Sequence, residues 1–264
     1  MSHFSAKRIR AGYGKHNVIE NISFDLDSGT LMGMIGANGS GKTTLLKALC
    51  GILPHQGTCT LEGTVLEELS AKQLAQRVSY IPQRSGISID ISALDVVLMG
   101  FNPRLGLLEH PTRNMKETAM LALEQVGLAG KEDTNYLHLS EGQKQLCILA
   151  RTLVSDSKLL LLDEPESALD FRFRHQMLSL LRSWAASRER SAVVTLHDPA
   201  LALNFCDKLL LLSDGSVLDI IEPKTDPLDK MERMLSQVYG SISLQRCHNR
   251  KGEAQIVMLR EDDV

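Results

Sequence analysis

A glycine-rich stretch, GANGSGKT at residues 36–43, is the feature that most constrains the fold of this 264-residue chain. It matches in full the phosphate-loop pattern of glycine, four residues, glycine, lysine, and serine or threonine. The apolar run LMGMI at 31–35 before it predicts a buried strand, and the leucines at 45, 46 and 49 after it predict a helix. Backbone N–H groups in such a loop, together with the helix N-terminus, bind phosphate groups. The sequence therefore predicts a strand, loop and helix that hold a phosphorylated ligand.

Two carboxylates follow a second apolar run. The segment KLLLLDEP at 158–165 predicts a buried strand that ends at Asp163 and Glu164. In open α/β sheets, ligands lie at the carboxyl ends of the strands. Asp163 suits the shell of a Mg²⁺ ion, and Glu164 is placed to polarise a water molecule for attack on a γ-phosphate. The alternative is a capping or salt-bridging role for either carboxylate.

The remaining patterns predict an α/β fold. Short apolar runs at 78–81, 159–162, 192–196 and 209–212 are separated mostly by helical patterns, which is typical of a parallel sheet covered on both faces. Between residues 84 and 154 the patterns are helical throughout, with starts at Ser92 and Ser140 and a longer helix over 112–126.

After residue 207 the sequence predicts a tight turn, a helix and a terminal hairpin. The turn is Asp214-Gly215, the helix covers 227–238, and the alternating segments at 243–247 and 255–259 form the hairpin.

Composition excludes several classes of protein. The chain is 43% hydrophobic and 23% charged, which excludes a disordered, collagen-like or disulfide-scaffold chain. Its net charge of −3 gives no chain-wide electrostatic reason to expect nucleic acid as a partner. No apolar run approaches a membrane span or a signal peptide, and the five cysteines form no C-x-x-C pair. We expect a cytosolic protein with buried, reduced thiols.

The motif LSEGQ at 139–143, about twenty residues before Asp163, resembles the signature motif of the ABC ATPases, and the motif order along the whole chain resembles that family. The resemblance implies that Tyr13 stacks on adenine, that Gln83 is the Q-loop glutamine, and that His197 is the switch histidine. The segment SALD at 167–170 corresponds to the D-loop.

These assignments predict a complete ATPase site with ATP and Mg²⁺ as cofactors. The expected catalytic residues are Glu164, His197 and Gln83, and the expected Mg²⁺ ligands are Thr43, Gln83 and Asp163. The expected ATP-binding residues are Tyr13, Gly36, Ala37, Asn38, Gly39, Ser40, Gly41, Lys42, Thr43 and Thr44. The signature residues expected to act on the nucleotide of a second copy are Ser140, Glu141, Gly142 and Gln143, with Asp170 in the D-loop.

Structural alternatives stand beside these roles. Tyr13 is alternatively a loop anchor, Gln83 an ordinary loop glutamine and His197 a structural histidine. Ser140 followed by Gln143 also fits a capping box, which is compatible with a signature role. Two positions depart from the family pattern: Glu141 replaces the first of two glycines, and Glu166 replaces a threonine or similar small residue. We expect activity to survive both departures.

The segment DVVLMGFNPRLGLL at 95–108 and the tail QVYG at 237–240 resemble the importers of iron-siderophores, haem and cobalamin. This resemblance implies a homodimer of ATPase subunits under two transmembrane permease subunits, with a substrate-binding protein as an indirect partner. The chain would then sit at the cytoplasmic face of the membrane through permease contacts. Alternatives are an ABC ATPase for zinc, manganese, an amino acid or an exported compound, and a soluble ATP-gated clamp without a permease.

The resemblance also gives a fold and a domain division. The expected fold is that of the ABC ATPases, a P-loop fold with a mixed, mostly parallel sheet, a small antiparallel β subdomain and a helical signature subdomain. We expect an ATP-binding domain over 1–240, in which a RecA-like core at about 1–83 and 155–240 flanks a helical subdomain at about 84–154. A β-hairpin-like extension is expected over 241–264.

Overall fold

The computed structural model describes residues 2–83, 86–106, 108–187 and 189–261. Within these ranges the strands are β1 (Phe4–Tyr13), β2 (His16–Leu26), β3 (Leu31–Gly36), β4 (His55–Leu61), β5 (Thr64–Val65), β6 (Val78–Ile81), β7 (Leu159–Leu162), β8 (Ser191–Thr195), β9 (Lys208–Ser213), β10 (Ser216–Ile221), β11 (Ile242–His248) and β12 (Ala254–Arg260). The α-helices are α1 (Lys42–Leu49), α2 (Ala71–Arg77), α3 (Ala93–Leu98), α4 (Arg113–Gln125), α5 (Glu141–Val154), α6 (Phe171–Ala185), α7 (Pro199–Phe205) and α8 (Leu228–Tyr239).

A six-stranded sheet in the order β10-β9-β3-β8-β7-β6 forms the centre of the molecule. Its strands are parallel except β10, which pairs antiparallel with β9. Leu31 and Ile35 of β3 belong to one hydrophobic core, whereas Met32 and Met34 belong to the core on the opposite face. Both faces of β3 are therefore covered, which explains its continuous apolar sequence. The predicted α/β class and parallel sheet are confirmed.

A second, antiparallel sheet in the order β2-β1-β4-β5 covers α1 and one face of the central sheet. The pairing of β1 with β4 shifts between Lys7 and Arg10, where Arg8 adopts a left-handed φ of 51°. Gly57 faces this bulge with a φ of 99°, and a Cβ there would lie 2.5 Å from two backbone carbonyl oxygens. Such a bulge bends the strand pair and redirects its side chains.

The regular elements described between β6 and β7 are all helical, joined by turns and irregular segments, apart from one isolated bridge between Ser92 and Asn135. Helices α3, α4 and α5 pack together around a buried apolar cluster. Ser92, Thr112 and Ser140 cap the three helices by accepting hydrogen bonds from backbone N–H groups. The predicted helix starts agree with these caps, and the division into subdomains stays a prediction.

The region after β8 also follows the sequence pattern. Asp214 and Gly215 join β9 to β10 with φ values of 48° and 74°, as the positive-φ turns favoured in tight hairpins require. Strands β11 and β12 pair antiparallel beyond α8, and the Asn204 side chain of α7 bonds both backbone groups of Ile256. No helix among the described residues is both long enough and apolar enough to cross a membrane.

Candidate active site

The phosphate loop lies between the end of β3 and the start of α1. A Cβ on Gly36 would lie 2.3 Å from the Leu212 carbonyl oxygen, so this position requires glycine. Gly41, with a φ of 100°, lies at the start of α1 against Ile19 of β2. A Cβ on Gly41 would lie 2.5 Å from the Ile19 side chain, so the close approach of α1 to β2 requires glycine. The loop is thus held between the central sheet and the β1–β2 hairpin.

Lys42 is folded back across this loop. Its Nζ donates hydrogen bonds to the carbonyl oxygens of Gly36 at 2.8 Å and Ala37 at 3.0 Å, and the residue is buried. Burial lowers the pKa of Lys42, while the charges of Glu164 and Asp163 act in the opposite direction. Because its hydrogen-bond partners here are neutral carbonyls, the ammonium charge is available to an anionic ligand.

Asp163 occupies the end of β7 beside the phosphate loop. Its Oδ1 accepts hydrogen bonds from the hydroxyls of Thr43 and Thr195, both at 3.1 Å, and its Oδ2 accepts one from Tyr80 at 3.3 Å. Adjacent oxygen ligands of an octahedral Mg²⁺ lie about 2.9 Å apart, given its bond lengths of about 2.0–2.1 Å. The oxygens of Thr43 and Asp163 therefore fit a Mg²⁺ ion.

Glu164 brings three sequence-predicted residues together. Its Oε1 lies 2.7 Å from His197 Nε2, and its Oε2 accepts a hydrogen bond from the Gln83 amide. Its backbone has a left-handed φ of 48°, and its N–H donates to the Thr195 hydroxyl at 2.7 Å. A non-glycine residue in this conformation points to a site whose surroundings fix the backbone for function. The arrangement aims a carboxylate, an imidazole and an amide at one place.

Glu166, one of the two departures from the family pattern, lies under His197. Its Oε1 accepts a hydrogen bond from the His197 backbone N–H at 3.1 Å, and the residue is only 3% exposed. Its Oε2 is buried with no hydrogen-bond partner among the described residues. Burial raises the pKa of Glu166, opposed by hydrogen bonds from its own N–H and that of His197. Glu166 therefore holds the backbone of His197 in place, and with it the imidazole that contacts Glu164.

Because the raised pKa belongs to the folded state, Glu166 should make stability depend on pH. The folded protein binds the proton of the Glu166 carboxyl more tightly than the unfolded chain does, so protonation of Glu166 stabilises the fold. This stabilisation is complete below the ordinary glutamate pKa of about 4.3 and is lost as the pH rises through the raised pKa of the folded state. In the wild type, the free energy of unfolding should fall with rising pH by about 1.4 kcal/mol for each tenfold gain in the proton affinity of Glu166 on folding. We expect Glu166→Gln to remove this fall, because glutamine does not titrate. Urea unfolding across a pH series measures it, with the exposed Glu20→Gln as control; parallel profiles for wild type and Glu166→Gln would contradict the assignment.

The signature residues lie at the start of α5. Ser140 Oγ accepts from the Gln143 N–H at 3.2 Å, and Gln143 Oε1 accepts from the Ser140 N–H at 3.1 Å, which is a complete capping box. The Glu141 side chain is exposed and pairs with Lys144 at 2.8 Å. Its carboxylate is therefore partly neutralised, which lessens the cost of having a charge where the family has glycine.

The D-loop borders the same surface. A Cβ on Gly142 would lie 3.1 Å from the Ala168 carbonyl oxygen, and Asp170 caps α6 by accepting from the Phe173 N–H at 3.0 Å. A cavity of about 420 Å³ is lined by residues of both motifs. Among the described residues, no hydrogen bond or ion pair joins the signature motif at 139–143 to Lys42 or Glu164. The D-loop, in contrast, is tied to the catalytic cluster, since the Ser167 N–H donates to the Glu164 carbonyl oxygen at 3.2 Å. Within the described part of one chain, only the signature motif is therefore without such a contact to the cluster.

Tyr13 is the last residue of β1. It pairs in register with His16 at the tip of the β1–β2 hairpin, and its side chain is 51% exposed. It lines an open cavity of about 490 Å³ together with Gly12, Gly14 and Asn17. An exposed ring at this place is available for stacking on a planar ligand.

Three further residues near the site have no role predicted from the sequence, although Tyr239 belongs to the tail QVYG at 237–240. Thr195 bridges Asp163 to the Glu164 backbone, and Tyr80 bonds the other oxygen of Asp163. Burial raises the pKa of Tyr239 to about 12, opposed by a hydrogen bond with the Gly36 backbone, which brings the tail to the phosphate loop. Thr195 could have been found from its place at the carboxyl end of a strand adjacent to β7.

Comparisons with known proteins give matches over most of the chain. The family model described as ABC transporter matches residues 19–167. A hemin import ATP-binding protein of Bordetella bronchiseptica is 36% identical over 246 residues, covering 89% of this chain and 91% of the relative. A cobalamin import ATP-binding protein of Halobacterium salinarum is 33% identical over 79% of this chain, and the match spans about half, 52%, of that longer protein. An inward-facing metal-chelate type ABC transporter matches with a TM-score of 0.82 and 28% identity, over 99% of both chains.

Proposed function

Because the chain belongs to the ABC transporter ATP-binding family, we propose that it is the ATP-hydrolysing subunit of an importer for a metal chelate, such as haem, cobalamin or an iron-siderophore. One observation carries the catalytic part, namely that Gln83 and His197 both contact the Glu164 carboxylate beside the phosphate loop. The cargo class rests on the hemin and cobalamin import relatives and on the metal-chelate type transporter.

The proposed reaction begins with binding of the nucleotide. Tyr13 supports the adenine, the N–H groups of residues 36–44 surround the phosphates, and Lys42 exchanges its carbonyl partners for phosphate oxygens. Thr43 and Asp163 would hold Mg²⁺, which supplies charge neutralisation at the β- and γ-phosphates. Gln83 serves as a further contact to the ion and the attacking water when it leaves Glu164.

Glu164 then acts as the general base. It accepts a proton from the water that attacks the γ-phosphorus, and the bond from phosphorus to the bridging oxygen of ADP breaks. His197 donates a hydrogen bond to the γ-phosphate and so reports its presence or loss. Its present contact with Glu164 supports a position of the imidazole beside the attacking water.

We propose that two copies close on ATP in a head-to-tail dimer. Ser140, Glu141, Gly142 and Gln143 of one copy would face the γ-phosphate held by the other, because the start of α5 carries the positive end of a helix dipole. Asp170 lies at the same surface and would contact the partner. ATP binding would close the dimer and drive two permease subunits, which a substrate-binding protein supplies, and hydrolysis would reset them.

This arrangement places the chain at the cytoplasmic face of the membrane, held by permease contacts. A strain lacking the chain tests the cargo by uptake of radiolabelled haem, cobalamin and a ferric siderophore. We expect loss of uptake of one of these compounds and recovery on complementation. Unchanged uptake of all three, with loss of zinc, manganese or amino-acid uptake, would show that the cargo belongs to another class. The ATPase role would be unaffected by that result.

A matched pair of capping serines tests the signature role. Ser70 and Ser140 both form complete capping boxes, with Gln73 and Gln143 respectively. We expect Ser70→Ala and Ser140→Ala to lower the free energy of unfolding similarly, by about 0.5–2 kcal/mol each. Only Ser140→Ala should also slow ATP hydrolysis, by about tenfold or more if one charge-assisted hydrogen bond is lost. Equal ATPase rates for the two variants would show that Ser140 acts only as a helix cap.

A further inference from the structure

We propose that His55, Cys59 and Glu67 form a binding site for a zinc-like divalent transition-metal cation, with donors other than those expected to hold Mg²⁺. His55 also lines the cavity that contains Tyr13, so this site adjoins the expected position of the adenine. His55 and Cys59 are the first and fifth residues of β4, and Glu67 lies in the 3-10 turn Leu66–Glu68 that follows β5. One donor atom from each residue lies within 4.8 Å of the other two. The site has one nitrogen, one sulfur and one oxygen donor.

The fold itself brings these side chains together. Residues at positions i and i+4 of a strand point to the same face, but a straight strand keeps them about 13 Å apart. The β1–β4 bulge opposite Gly57 lies between them, and it bends β4. Cys59 Sγ consequently lies 4.0 Å from His55 Nε2. The turn after β5 then brings Glu67 Oε1 to 2.9 Å from the same imidazole nitrogen.

The distances are close to those of a metal centre. Tetrahedral zinc with bonds of about 2.0–2.3 Å separates its N, O and S ligands by about 3.4–3.6 Å. The nitrogen and oxygen at 2.9 Å need to part by about 0.5 Å, and the sulfur and nitrogen at 4.0 Å need to approach by a similar amount. Side-chain rotations of this size leave the strand unchanged. Glu67 Oε1 also accepts from the Cys59 N–H at 2.7 Å, which fixes the carboxylate.

The surroundings suit three protein ligands and one open position. Cys59 is 1% exposed, the His55 side chain is 8% exposed and that of Glu67 is 32% exposed. His55 and Glu67 line a cavity of about 390 Å³, which gives a cation a path and leaves room for water as a fourth ligand. Burial and the Glu67 carboxylate raise the pKa of Cys59, so the thiol keeps its proton in the metal-free chain. A bound cation would have to displace that proton to gain a thiolate ligand.

The donor set also distinguishes this place from the nucleotide site. Sulfur and imidazole ligands select zinc-like transition metals, whereas Mg²⁺ selects oxygen ligands such as those of Thr43 and Asp163. The catalytic cluster contains the His197 imidazole but no thiol among its hydrogen-bond and ion-pair partners in the described chain. Of the expected buried thiols, Cys247 is exposed and Cys50 is half-buried in the structure, so each could also meet a cation. A cysteine-dependent signal that persists in Cys247→Ala and Cys50→Ala but disappears in Cys59→Ala therefore reports this proposed site.

Cobalt titration of the metal-free full chain, with Mg²⁺ in excess, provides that signal. Thiolate ligation of Co²⁺ gives a near-ultraviolet charge-transfer band, and added Zn²⁺ removes it by displacement. We expect one equivalent to bind and binding to weaken at least about tenfold in His55→Ala, Cys59→Ala and Glu67→Gln, as even outer-shell changes do. Cys147→Ala is the matched control for a buried thiol, and Glu164→Gln is the control for the catalytic cluster.

Thermal unfolding supplies a second measurement that does not depend on the band. Zn²⁺ should raise the melting temperature of the wild type and of Cys147→Ala, because ligands of the folded state stabilise it, but not that of Glu67→Gln. Glu67→Gln retains an oxygen that accepts the Cys59 N–H, so its fold should persist. A wild type without the band, or equal Zn²⁺ affinity in wild type and Glu67→Gln, would overturn the proposal.

Discussion

Replacing Glu164 by glutamine is expected to slow ATP hydrolysis by about 10²–10⁴-fold, the usual contribution of a general base. The amide retains the size of the side chain but does not accept the proton of the attacking water. Because Glu164 makes no contact with the phosphate loop in the hydrogen bonds described, ATP affinity should stay near that of the wild type. Phosphate release in the steady state, with ATP binding measured separately, distinguishes the two effects.

A dimer should accumulate as a consequence of this block. If hydrolysis reopens the dimer, the Glu164→Gln chain with Mg²⁺-ATP should elute at twice the mass of the nucleotide-free chain. Glu62→Gln is the control, since Glu62 forms surface ion pairs with Arg77 and Lys158. Turnover unchanged from the wild type would remove Glu164 from its role as base.

Replacing Lys42 by alanine is expected to weaken ATP binding by about 10–150-fold. The ammonium supplies hydrogen bonds to charged phosphate oxygens, and each such bond contributes about 1.5–3 kcal/mol. Its present partners are the Gly36 and Ala37 carbonyl oxygens, so the side chain is already held within the loop. Titration with ATP, followed by calorimetry or a fluorescent analogue, measures the change.

Lys47→Ala is the matched control for this substitution, since Lys47 belongs to the last turn of the same helix, α1. It should leave the dissociation constant for ATP within about twofold of the wild type, as expected for a charge outside the phosphate site. Equal losses of affinity in the two variants would show that charge in general, rather than the position of Lys42, governs binding.

The sequence predicted the parts of the site that depend on local pattern. The phosphate loop, the strand that ends at Asp163 and the capping box at Ser140 each occupy a few consecutive residues, and each is where the pattern indicated. Strand β8 is predicted at 192–196 and lies at Ser191–Thr195, and the Leu196 N–H still donates to the Met34 carbonyl oxygen of β3 at 3.2 Å.

Contacts between segments that are distant in the sequence could not be predicted from local patterns. Thr195 bonds Asp163 because β8 lies beside β7 in the sheet, and the order of strands is not the order of the sequence. The anchoring of the His197 backbone by Glu166 depends equally on this neighbour relation. The ion pair of Glu141 with Lys144, in contrast, is an i,i+3 contact within α5. Helical spacing could have predicted this partner from the sequence.

Extraction of the native chain from membranes tests the transporter role. The chain, carrying an affinity tag on its own gene, is solubilised in detergent and purified, and the mass of its complex is measured by native mass spectrometry. We expect two copies of this chain with two copies of a membrane protein of several spans, and Mg²⁺-ATP turnover that Glu164→Gln slows by about 10²–10⁴-fold. A chain recovered from the soluble fraction alone, active as an ATPase and without any membrane subunit, would contradict the transporter role and favour an ATP-gated clamp.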